Sequence, residues 1–146
     1  MTAKVDKTVS INAVPATVWK YLTDPNLMKE WMGDPEMNVE VITDWMQGNP
    51  IRIKVFHHVH FENKGIVLQF DPYNIIQYTH FNSISQLPAV KENFSTITFL
   101  LTPEMEKTIL TVKVEDFPTE IIYNHLKLYW EGTVVLLKKF IEDSHS

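Results

Sequence analysis

Three histidines crowd into His57-His58-x-His60. Imidazole is a common zinc ligand. His58 and His60 stand two apart, so on a strand both would project from one face towards a single ion. No third ligand stands at local spacing, and working zinc sites use three or four protein ligands with supporting hydrogen bonds. The pattern therefore predicts a solvated strand face. Neither a metal nor a cofactor is expected. His57 falls on the apolar side of the same alternation. His80 joins Ile76 and Tyr78 on one side of the segment 75–81, whose facing the alternation leaves open. An imidazole in an apolar cavity can act as a general base or bond a ligand. More often it is a core histidine with its hydrogen bonds met.

Other catalytic arrangements are missing from the sequence. No Ser, Thr or acid is placed beside a base as a nucleophile would require. Asp24, Asp34, Asp44 and Asp71 each adjoin turn or cap signals, where a short carboxylate has a structural task. Four glycines form no phosphate-binding loop. No catalytic residue is assigned. Four tryptophans remain as candidates, Trp19, Trp31, Trp45 and Trp130. Trp19 reads as core packing. Trp130 sits midway along a helix, where a side chain facing a sheet either fills a cavity or lines it.

Those residues need elements to hold them. The stretch from Pro118 to Glu142 is one helical pattern, with Ile122, Leu126, Tyr129, Trp130, Val134, Leu137 and Ile141 at the 3–4 spacing of a buried face. Lys4 to Ile11 reads as a strand, and Pro15 to Leu22 as a short helix. A second helix opens on Asp24-Pro25, an N-cap followed by proline at N1, and ends at Gly33. From Asn38 the period becomes two. Val39 and Val41 alternate, and Gln47 to Pro50 make a turn. Ile51, Ile53, Val55, His57, Val59 and Phe61 share one face of a single long strand, which turns at Asn63-Lys64-Gly65 into a return strand with Ile66, Leu68 and Phe70 on its apolar face. Asp71 to Asn74 turn again. Strands follow at 75–81, 94–101 and 109–114. Hairpin connections force an antiparallel sheet, and six or seven twisted strands curl. The expected architecture is α+β: a curved sheet wrapped around a long C-terminal helix, with two short helices after the first strand.

Bulk composition narrows the setting. The 146 residues fit one domain, 1–146, and 45% hydrophobic content with 12% aromatics can fill a core. Net charge is −5 and no basic run occurs, so no nucleic acid is expected. The chain has no Cys, which excludes disulfides and thiolate chemistry. No apolar run reaches the ~20 residues of a membrane helix, and Met1 to Asp6 lack a signal region. A cytoplasmic protein is expected.

Two local patterns point further. Val18-Trp19, Leu22-Thr23-Asp24-Pro25 and Trp31 form an opening motif, and Trp130, Val135-Leu136 and Leu137 to Glu142 a closing one. Across essentially the whole chain, the order of elements resembles the helix-grip fold of the START and Bet v 1-like (SRPBCC) superfamily. The two motifs are similar to those of the branch containing the C-terminal domain of the activator of Hsp90 ATPase. The resemblance implies a small hydrophobic or amphipathic molecule held under the helix. It also brings two alternatives, a polyketide cyclase or aromatase, and a module that meets a chaperone. The eukaryotic co-chaperone carries a further N-terminal domain, for which 146 residues leave no room. A homodimer stays open. The positional reading of the pocket is Trp31, Trp45, His57, Tyr78, His80, Phe99, Leu126 and Trp130.

Overall fold

The computed structural model describes residues 3–144, leaving out the side chains of His57 and Ile84. Strand β1 (Val5–Ile11) leads into helices α1 (Pro15–Thr23) and α2 (Pro25–Met32). Six strands then follow: β2 (Glu40–Ile42), β3 (Pro50–His57), β4 (Val59–Asp71), β5 (Ile75–Asn82), β6 (Ser95–Glu104) and β7 (Lys107–Glu115). The chain ends in α3 (Glu120–Ser144). The seven strands form one antiparallel sheet in the order β1-β7-β6-β5-β4-β3-β2. The sheet is thus a meander whose first strand closes on the last. α3 is one unbroken helix packed against it. Leu126, Trp130, Val134, Leu137 and Ile141 are its buried row, which falls where the 3–4 spacing places it.

The short helices start where the sequence says they should. The Asp24 carboxylate accepts from the Asn26 amide at 2.9 Å, and Pro25 takes the first helical position. Trp31 Nε1 donates to the Tyr21 carbonyl at 2.8 Å, and Trp45 Nε1 to the Thr23 carbonyl at 2.7 Å. Two indoles therefore brace α1 and α2. The Tyr129 hydroxyl donates to the Met32 carbonyl at 2.9 Å, fixing the end of α2 to α3.

The region 51–70 differs from the sequence reading. The expected single strand through Phe61 is a hairpin. Its apex is His58, with φ 65°, and His57 pairs directly with Val59. His58 and His60 therefore do not share a strand face: one is the turn residue, while the other lies beside the Phe56 ring at 4.8 Å. Asn63-Lys64-Gly65, expected as the turn, lies inside β4. A Cβ on Gly65 would sit 1.7 Å from the Thr79 carbonyl oxygen, so glycine serves close approach of β5 here rather than a turn. Beyond it, a register shift between Val67 and Gln69 re-aims the strand. Val67 is fully buried while Ile66 and Leu68 face solvent, the reverse of their expected facing. The facing of β5 is settled: Ile76 and Tyr78 point into the core.

Candidate functional site

α3 does not fill the hollow of the sheet along its whole length. Near its first half a partly open cavity of about 320 Å³ remains. That is at the lower end of the range for small-ligand sites, ~300–1,000 Å³. The sheet supplies Ile53 and Val55 from β3, Phe61 and Asn63 from β4, Tyr78, His80 and Asn82 from β5, and Ile97 from β6. α3 supplies His125, Leu126, Tyr129 and Trp130. Met32, Met37 and Val39 close one end. Among the described residues that line it, none carries an acidic or basic side chain other than histidine.

A groove adjoins this cavity and shares Phe61, His80, Asn82, His125 and Leu126 with it. It runs between the 83–94 loop, through Ser85, Leu87 and Asn93, and the start of α3 at Thr119, Ile121 and Ile122. Ile121 is strongly exposed, so the groove reaches solvent. His80 and His125 stand at the junction of the two spaces.

Burial tunes the polar groups inside. The His80 imidazole is pushed down to about 4, first by burial and then by His125, so it is neutral at pH 7. Burial raises the Tyr78 phenol, and the Tyr129 phenol is pushed up to about 12, offset in part by a hydrogen bond with Thr133. All three are uncharged hydrogen-bonding groups at neutral pH. Among the described residues, two buried side-chain atoms have no hydrogen-bond partner: Asn63 Oδ1 and Trp130 Nε1. Both residues line this cavity, one on the sheet wall and one on the helix wall.

Of the pocket expected from sequence, Tyr78, His80, Leu126 and Trp130 stand together around this space. Trp31, Trp45 and Phe99 stand behind the wall. The Trp31 ring lies 6.4 Å from Trp130, Trp45 stacks on Phe70 at 5.5 Å, and Phe99 meets Trp130 edge-on at 5.6 Å. The side chain of His57 lies outside the described residues. Asn63, Asn82, His125 and Tyr129 were not anticipated. A signal existed for two of them: His125 and Tyr129 repeat the i, i+4 spacing of Leu126 and Trp130 one position earlier. Among the described residues no three His, Asp or Glu side chains gather where they could hold a metal ion.

The family model described as Activator of Hsp90 ATPase homolog 1-like protein matches residues 12–142. No curated protein matches the chain. Solved structures do. A Cytophaga hutchinsonii protein determined in solution is 29% identical, with 99% of this chain and 97% of that one covered and a TM-score of 0.81. The Aha1 dimer from Colwellia psychrerythraea is 17% identical, with 96% of each chain covered and a TM-score of 0.74. DynU16, from the dynemicin biosynthetic locus, is 21% identical, with 95% of this chain and 47% of that one covered and a TM-score of 0.73. The last two likenesses are of fold alone.

Proposed function

The chain belongs to the Activator of Hsp90 ATPase homolog 1-like family, and on that premise we propose that it binds one small, mostly apolar molecule in the cavity under α3. The observation that carries this reading is the cavity itself: about 320 Å³ of space, walled by apolar side chains and a few neutral polar ones. An unfilled space of this size forfeits packing contacts that a closed core would make. Apolar walls with a few convergent polar atoms are the usual composition of a ligand site. Among the described lining residues no carboxylate, Lys or Arg stands beside His80 and His125, and the composition favours binding. The neutral fluorophore N-phenyl-1-naphthylamine should bind the folded protein at one site. Leu126→Trp fills the space, at a strain of about 1–3 kcal/mol, and should abolish binding while the circular dichroism of the fold persists. Unchanged affinity in the folded variant rejects the reading.

One observation favours a second reading. Ile121, Leu128 and Val135 are exposed and spaced seven apart along the outer side of α3, with Leu136 beside them. An exposed apolar row marks a face for another protein, here an Hsp90-type chaperone or a second copy. Light scattering of the chain with and without Hsp90 tests this. A monomer that ignores the chaperone, and is unaffected by Leu128→Glu, removes it.

A further inference from the structure

The two unpartnered atoms differ in kind and stand on opposing walls. Trp130 Nε1 is a donor with no acceptor, and Asn63 Oδ1 is an acceptor with no donor. Trp130 is 2% exposed. The rings of Trp31, Phe99 and Tyr129 pack against it, and its indole N–H meets no acceptor among the described residues. The other indoles of the site region behave differently, since Trp31 and Trp45 both donate to main-chain carbonyls. Asn63 is odd in the same way. It occupies an inward position of β4, opposite Ile53, where the pattern otherwise places apolar side chains. Leaving a buried polar group unsatisfied costs more than a typical hydrogen bond contributes. A sequence built only for a tight core would carry Leu at 63 and Phe at 130.

From these atoms we propose that the cavity's ligand is an uncharged hydroxyl compound, a phenol or alcohol on a compact ring skeleton, that accepts from Trp130 and donates to Asn63. This deepens the ligand-binding reading and rests on it. A hydroxyl is the smallest group that both donates and accepts, so it suits a site presenting one group of each kind. The absence of Lys, Arg, Asp and Glu among the described lining residues argues against charged ligands. A carboxylate or ammonium would lose its hydration without gaining a counter-ion. His80, neutral from burial, adds a polar contact without adding charge. A ligand hydroxyl that reaches both atoms supplies the two missing hydrogen bonds, whereas a hydrocarbon leaves them unmade. The volume sets the size at one or two fused rings.

Three probes of one skeleton separate these cases, read by displacement of N-phenyl-1-naphthylamine at pH 7. 2-Naphthol should compete about tenfold more tightly than naphthalene, the worth of one net hydrogen bond. 2-Naphthoate should compete at least about tenfold more weakly than 2-naphthol. Trp130→Phe and Asn63→Leu should each lower 2-naphthol affinity towards that of naphthalene, while naphthalene affinity holds or rises. Equal competition by naphthalene and 2-naphthol in the wild-type protein overturns the hydroxyl assignment and leaves the cavity reading standing. Preference for 2-naphthoate overturns it as well. Failure of the fluorophore itself to bind defeats the cavity reading, and the ligand class falls with it. The wild-type comparison stands even if a variant fails to fold.

Discussion

Burial moves the His80 imidazole into a range that titration can read. Its folded-state value is lowered to about 4 from 6.5. The unfolded chain therefore binds a proton that the folded chain refuses between those two values. Stability is full above about 6.5 and is lost as pH falls towards 4. The loss is about 2 kcal/mol by pH 4.5, an order-of-magnitude figure. His80→Asn removes the titrating group, so the stability difference between wild type and variant should shrink by that amount between pH 7 and pH 4.5. Urea unfolding at both values checks it, and a constant difference would show that the imidazole takes its proton in the folded state as readily as in the unfolded one. Sequence alternation could put Tyr78 and His80 on the same side of a strand, and helical spacing could put Leu126 and Trp130 on the same side of a helix. It could not say which indoles were already spoken for. Trp31 and Trp45 find carbonyls on α1, and those partners become visible only once α1 and α2 are folded together. Asn63 was hidden by its own composition, because Asn-Lys-Gly reads as a turn wherever it occurs.

At the scale of elements, the β3–β4 hairpin explains that misreading. Its apex is a single residue, and partners across it pair as Val55 with Phe61 and Ile53 with Asn63. Odd positions therefore face inward on both arms. A period-two pattern passes through such an apex unchanged, so alternation cannot detect it. The helices were easier, because a cap, a proline and a 3.6-residue period agree over their whole length. Glycine supplies two opposed predictions. Gly65→Ala would drive a methyl group onto the Thr79 carbonyl, a backbone atom held by the sheet. A loss of about 3 kcal/mol or more is expected, since neither strand can yield without breaking its ladder. Gly132 is an exposed position inside α3, and a Cβ there meets nothing within 4 Å. Gly132→Ala should stabilise the protein by roughly 0.5–1 kcal/mol through helix propensity. Denaturant midpoints for the two variants should move in opposite directions, and a stabilised Gly65→Ala protein would contradict the packing described between β4 and β5.

Taken as a whole molecule, the fold is a meander around one helix, and that much was legible: strand count, antiparallel pairing and the partner of α3 all follow from hairpin connections and one amphipathic stripe. The size of the space under the helix was not, because it depends on how far the sheet curls and on which side chains stop short of one another. The α3 row at Leu126 and Trp130 ends over the cavity, whereas Val134, Leu137 and Ile141 pack without one. The helix should therefore be looser at its first half. Amide hydrogen exchange should be faster around 121–130 than around 134–141 in the free protein, and 2-naphthol should slow the former selectively. Uniform protection along α3 would count against a cavity that weakens one half. The closing pair of the sheet has a consequence for how the chain is made. Thr8 meets Thr111 across β1 and β7, 103 positions apart. At ~5–20 residues per second, the first strand waits on the order of ten seconds on the ribosome for β7, its partner in the sheet. Throughout that time it offers Val5, Val9 and Ile11 to any neighbouring nascent chain. Lys7 interrupts that apolar row as a gatekeeper does. Lys7 later pairs with Glu131 at 3.3 Å, a surface contact worth little to the finished fold. Lys7→Val should accordingly leave the refolded protein within about 0.5 kcal/mol of wild type, yet lower the soluble yield of a translation reaction, placing the value of that charge in synthesis rather than in the native state.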